Sequence, residues 1–119
     1  MKLYLSIKHA VRGVKLALKS EKSFRIQMAM AFAIFVALFM FPLHMSERAL
    51  LLVAVGAVLV LELVNSTVER MLDLFKPRLH PYVRDIKDLM AAAVLLASIF
   101  ALIIGILVLG PYASVLVRL

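Results

Sequence analysis

The stretch "ALLLVAVGAVLVLELVNSTVERMLDLF", Ala49 to Phe75, decides the fold. From Ala49 to Val64 every residue is aliphatic except Gly56 and Glu62. An α-helix turns about 100° per residue, so Asn65, Glu69 and Asp73 project at about −60°, −20° and +20° from Glu62. All four polar side chains therefore share one face. Val64, Val68, Met71 and Leu72 continue the apolar spacing beyond the aliphatic run, which extends the helix past it. A charge near the centre of a bilayer costs roughly 2.5–3.5 kcal/mol on insertion scales, so residues of this kind face protein or a wet cavity and point to function. A lone carboxylate reads equally well as a tether that pairs with a basic side chain and holds two helices together. Four polar groups in register favour a site.

Composition supports a membrane setting for this helix. The 119-residue chain is 65% hydrophobic, with a mean hydropathy of +1.04. An ordinary soluble domain holds about 45–50% apolar residues, and a core this small cannot hide the excess. "QMAMAFAIFVALFMFPL" (27–43) is a short first span, 49–64 the second, and "MAAAVLLASIFALIIGILVLG" (90–110) the third, closed by Pro111. "HMSER" reads as a brief turn between the first two. Lys76, Pro77, His80 and Pro81 break the second helix. At the N-terminus, residues 1–25 place Leu3, Ile7, Val11, Val14 and Leu18 on one helical face. Lys8, Arg12, Lys15 and Lys19 fall on another, the pattern of an amphipathic helix lying in the membrane interface. A packed helix of a soluble bundle is the blander reading of the same stripe. No continuous apolar core of a signal peptide is present in this segment.

Charge sets the expected orientation. Seven basic residues lie between Lys2 and Arg25 and five between Arg70 and Lys87, whereas the first loop holds only Arg48 and the C-terminus only Arg118. By the positive-inside rule the N-terminus and the second loop are cytoplasmic and the C-terminus is outside. The expectation is an all-α membrane protein with an N-terminal surface helix and three transmembrane helices, N-in and C-out. The net charge of +7 then reports topology and anionic lipid contact, not nucleic acid.

Carboxylates at a membrane edge suit metal–phosphate chemistry. Mg²⁺ takes one or two carboxylates together with phosphates and water, and a carboxylate can act as general base toward an alcohol. "VRDIKDLM" places Arg84, Lys87 and Asp88 at the start of the third span, where a lysine and a helix N-terminus favour anions. Ordinary basic flanking of a span explains Arg84 and Lys87 as well. With glycines only at 13, 56, 105 and 110, no P-loop, dinucleotide fingerprint or kinase glycine loop can be written. His9, His44 and His80 are too scattered for a zinc motif. The absence of cysteine excludes disulfides and thiolate metal sites. "NST" at Asn65 matches a glycosylation acceptor but lies at the cytoplasmic edge. The methionines read as packing residues. On residues alone, three classes stay open: an enzyme, a small oligomeric transporter with Glu62 as its proton or cation site, and a structural subunit that uses the polar face for assembly.

"ELVNSTVERMLD", the following "HP" and "IKDLMAAAVLL", with "SEKSFR" upstream, together resemble the small bacterial integral-membrane lipid kinases, the diacylglycerol kinase and undecaprenol kinase family. The resemblance runs from the surface helix to Gly110. It implies a homotrimer with active sites shared between neighbouring subunits in the bacterial cytoplasmic membrane, facing the cytoplasm. It also implies transfer of the γ-phosphate of Mg-ATP to the hydroxyl of undecaprenol or diacylglycerol. Carried over by position, Glu62 is the proton acceptor and Asn65 orients the site. Glu21 and Glu69 hold Mg²⁺ and, through it, ATP. Lys87, Asp88 and the loop around His80 contact the nucleotide, while Phe24 and Arg25 line the lipid's path to Glu62. The chain departs from the pattern in lacking tryptophan, in a shorter N-terminus and at Gln27, which replaces an acidic or histidine position. "LHPY" and "AAAVL" look closer to the undecaprenol kinase branch.

Overall fold

The computed structural model describes residues 1–75 and 80–118, with the backbone alone at His80, and they form four helices. These are α1 (Lys2–Ser20), α2 (Lys22–Met40), α3 (Met45–Asp73) and α4 (His80–Arg118). Three of them, α2, α3 and α4, are long and apolar enough to cross a membrane. At about 1.5 Å per residue, the 29 residues of α3 reach about 43 Å. A hydrocarbon layer is about 30 Å thick. One unbroken helix therefore carries Glu62 within its aliphatic run and Glu69 and Asp73 beyond that run.

α1 and α2 are separated by one residue. Glu21 is extended (φ −115°, ψ 109°), closing α1 and opening α2. Its N–H still bonds Ala17 O at 2.8 Å. The last carbonyls of α1 would otherwise lack donors. Arg25 reaches back to supply them, its Nη1 donating to Leu18 O at 2.8 Å and Lys19 O at 3.1 Å. α1 is mostly exposed, with Leu3, Ile7 and Val11 among its uncovered apolar side chains and Ala17 its buried residue.

Several helix limits differ from the sequence reading. The surface helix expected over residues 1–25 ends at Ser20, and α2 already begins at Lys22. "HMSER" is not a turn, because α3 begins at Met45. Glu47 Oε1 accepts the His44 N–H at 2.9 Å, which makes these polar residues a helix start. α4 begins at His80, ten positions before the expected Met90. Its Pro81 occupies the first turn, where a missing N–H leaves no bond unmade. Nor does Pro111 close the last helix, since α4 continues through it to Arg118. A proline there removes one backbone bond, and the next residue is held in place. Tyr112 stacks obliquely on Phe41, with ring centres 5.8 Å apart, and its Oη lies 3.1 Å from Glu47 Oε1 and 3.4 Å from Pro42 O.

α3 is the central helix, packed most extensively on α4 and next on α2. Leu38, Leu43, Leu51 and Val108 form a buried cluster at the end away from Glu62, with Ile34, Phe41, Ile104, Leu109 and Tyr112 packed around it. Much of the remaining apolar surface is outward, including Phe32, Phe39, Phe100 and Leu107. Water would not tolerate that much contiguous apolar area, and a bilayer does.

The packing predicts a sharp contrast between two leucines. Leu51 is 1% exposed and Leu107 is 70% exposed. Leu51→Ala should lower the unfolding free energy of the micelle-embedded protein by about 2–3 kcal/mol, whereas Leu107→Ala should change it by under about 0.5 kcal/mol. Reversible unfolding in mixed detergent measures both, and equal effects would contradict this packing.

Candidate active site

The polar face of α3 emerges beside the α1–α2 junction and the first turns of α4. Glu62 is 5% exposed. Its neighbour is Gln27, whose Nε2 donates to Glu62 Oε2 at 3.4 Å from the first turns of α2. Gln27 is the one polar residue between Ile26 and Leu43. Two polar groups on adjacent spans meet because hydrocarbon offers neither another partner. The Glu21 and Glu69 carboxylates lie close enough to act on the Glu62 charge through space. Three of the expected carboxylates thus feel one another's charge.

Several buried polar atoms in this region have no hydrogen-bond partner: Gln27 Oε1, Asn65 Oδ1 and Ser66 Oγ. Such atoms are rare in folded proteins and mark positions for water or a ligand's polar group. Gln27 also lies on the wall of an apolar groove of about 410 Å³, which continues past Ile34, Val58, Ala101 and Gly105 between α2, α3 and α4. The size is that of a small-molecule site. Ala101 and Gly105 add little side-chain bulk to its wall.

The other expected residues are placed as follows. Glu21 sits at the helix junction with its side chain 26% exposed, 3.9 Å from the Arg70 guanidinium. Glu69 is half-buried on the same face as Glu62. Lys87 and Asp88 lie well inside α4, not at the helix start as the sequence suggested, so a helix N-terminus cannot assist them. Lys87 Nζ donates to Asp73 Oδ1 at 3.2 Å and ties α4 to the end of α3. Asp88 is exposed. The expected role of His80 concerns a side chain outside the described residues. Phe24 is 1% exposed, buried within the chain itself, and Arg25 has the capping contacts given above.

Among the described residues, no three His, Asp or Glu side chains form a ready-made metal cage. The oxygen donors of Glu21 and Glu69 nevertheless fit Mg²⁺, which binds one or two protein carboxylates and completes its shell with phosphate and water. Sequence reasoning missed four contacts: Gln27 with Glu62, Arg25 with the end of α1, Arg70 with the α1–α2 junction, and Lys87 with Asp73. A signal existed only for the first, as the lone polar residue in an apolar run.

The sequence profile of the prokaryotic diacylglycerol kinase family matches residues 8–109. The chain is 30% identical over 110 residues to an undecaprenol kinase of Bacillus subtilis, covering 92% of this chain and 89% of the relative. It is 34% identical over 117 residues to a diacylglycerol kinase of Synechocystis, covering 97% of this chain and 67% of that relative.

The Arg25 contacts predict a local effect on the junction that frames this region. Arg25→Ala should speed amide hydrogen exchange around Ser20 and Glu21 by about fivefold, as expected for losing a charge-assisted helix cap of about 1 kcal/mol. Unchanged exchange there would mean that the guanidinium does not hold the end of α1.

Proposed function

The chain belongs to the prokaryotic diacylglycerol kinase family and is a lipid kinase; from that premise we propose that it transfers the γ-phosphate of ATP to the hydroxyl of undecaprenol or diacylglycerol at the cytoplasmic face of the bacterial membrane. The observation that carries this reading is the buried Glu62, held by Gln27 beside an apolar groove and followed along the same helix face by Glu69. A lipid alcohol has both requirements, an apolar tail and one reactive hydroxyl.

In this reading the lipid tail lies against the groove wall and the hydroxyl reaches the Glu62 carboxylate. Gln27 holds Glu62 Oε2, and Oε1 takes the hydroxyl proton as the lipid oxygen bonds to the γ-phosphorus. The bond from that phosphorus to the bridging oxygen of ATP breaks, releasing ADP. Glu21 and Glu69 hold Mg²⁺, which when bound neutralises phosphate charge. Phosphoryl transfer depends on positioning and charge neutralisation more than on covalent chemistry by the protein. Asn65, with its unpartnered Oδ1, orients polar groups in the site, and Lys87 and Asp88 contact the nucleotide. The segment around His80 is assigned to the base or sugar. Phe24 backs the lipid path from inside the chain, and Arg25 flanks it where α1 meets α2. A homotrimer with sites completed by neighbouring subunits, N-termini inside and C-termini outside, accounts for the basic charge at one end and for the uncovered faces of the bundle.

Purified protein in mixed micelles, supplied with ATP, Mg²⁺ and each lipid in turn, tests the reading. Labelled phosphate should appear on the lipid, and the ratio of the two rates identifies the preferred acceptor. Glu62→Gln keeps the side-chain shape and should lower kcat by about 10²–10⁴-fold, the usual worth of a general base, with oligomer size unchanged. Full activity in Glu62→Gln would remove Glu62 from the role of base.

A further inference from the structure

Arg70 lies at the edge of the polar face of α3, one residue past Glu69. Its Nη2 donates to Ser20 Oγ at 2.7 Å and stands 3.9 Å from Glu21 Oε1. Ser20 in turn donates its only hydroxyl proton to Leu16 O at 2.7 Å, which turns its oxygen lone pairs toward the guanidinium. Arg70 thus links α3 to the junction between α1 and α2. Its side chain is still 51% exposed. A guanidinium carries five N–H donors in a fixed fork, and these contacts use only part of it.

The charges around Arg70 suggest a second task. The charges of Glu21 and Glu69 bear on Glu62, and a nucleoside triphosphate adds further negative charge. Lys87, which the proposed function gives to the nucleotide, shares its charge with Asp73 and is a single cation against these negative charges. Arg70 sits against Glu21, one of the two carboxylates that fit Mg²⁺, so a phosphate bound beside Glu21 lies within reach of its fork. A half-exposed ion pair such as Arg70–Glu21 contributes little. A bidentate guanidinium–phosphate contact is stronger, so exchanging one for the other is favourable. We infer that Arg70 is a phosphate-binding residue: in the free protein it clamps the α1–α2 junction, and when nucleotide binds its guanidinium transfers to a phosphate oxygen of ATP. This rests on the reading of Glu21 and Glu69 as the Mg-ATP end of the site.

Equilibrium binding of trinitrophenyl-ATP with Mg²⁺, KM values for ATP and lipid, and hydrogen exchange at the junction form the test. Arg70→Gln should raise the nucleotide Kd and the KM for ATP about tenfold, the scale of one lost charge-assisted contact, with the lipid KM unchanged. Arg70→Lys should recover part of the affinity, because it keeps the charge but loses the fork. Ser20→Ala should speed exchange at the junction and leave nucleotide binding as it was. If Arg70→Gln and Arg70→Lys alter junction exchange but not the nucleotide Kd, Arg70 is a clamp only and the inference fails. Glu21→Gln separates the two levels. If it weakens nucleotide binding while Arg70→Gln does not, only the role of Arg70 falls. If Glu21→Gln leaves binding intact, the placement of Mg-ATP falls with it.

Discussion

Removing the Glu62 carboxylate from water is costly unless polar groups accompany it, and α2 supplies such a group through Gln27. That contact constrains the two helices together. It sets the depth of α2 against α3 and fixes which way the polar face of α3 turns. With Glu62 facing α2, Arg70 two turns further along reaches the α1–α2 junction, and Asp73 beyond it meets Lys87 of α4. The same rotation points the lipid-compatible residues of α3 outward. A single carboxylate in an apolar helix thus coordinates the orientation of its neighbours, which aliphatic packing alone would leave less specified.

The junction at Glu21 follows from the same geometry. One extended residue lets α1 leave the direction of α2, so the cationic helix need not continue into the apolar zone. Its exposed carbonyls are satisfied by Arg25, and its position relative to α3 is held by Arg70 through Ser20. Local hydrogen bonds thereby place Glu21 near the carboxylates of α3, from which it is distant in sequence. The proposed phosphoryl transfer would use that convergence to neutralise phosphate charge.

At the opposite end, packing replaces polarity. Leu38, Leu43, Leu51 and Val108 close the bundle, and the Tyr112 hydroxyl joins α4 to the short α2–α3 connection. Between the two ends the helices diverge enough to leave an apolar groove. Its wall includes Gln27, so the groove and the buried carboxylate share a boundary. This juxtaposition supports a substrate with a polar head and a hydrocarbon tail. The outer faces of α2 and α4 bury little within one chain, which leaves lipid or a further copy of the chain to cover them.

Hydrophobic run length and the 100° helical step were enough to read three apolar helices, the amphipathic N-terminal helix and the shared face of Glu62, Asn65, Glu69 and Asp73, because these properties are local. The motif resemblance named a family that the comparisons bear out. Helix limits were less legible. Pro81 and Pro111 looked like breaks, but proline is tolerated in a first turn and can be carried by surrounding packing. Glu47 looked like loop polarity and is a cap. Tertiary structure alone decided which residues meet across helices: Gln27 with Glu62, Lys87 with Asp73, and Arg70 with Ser20 and Glu21. Periodicity determines the face on which a side chain lies. Its partner depends on the rotation and depth at which whole helices pack, and that is a sum over many contacts distant in sequence.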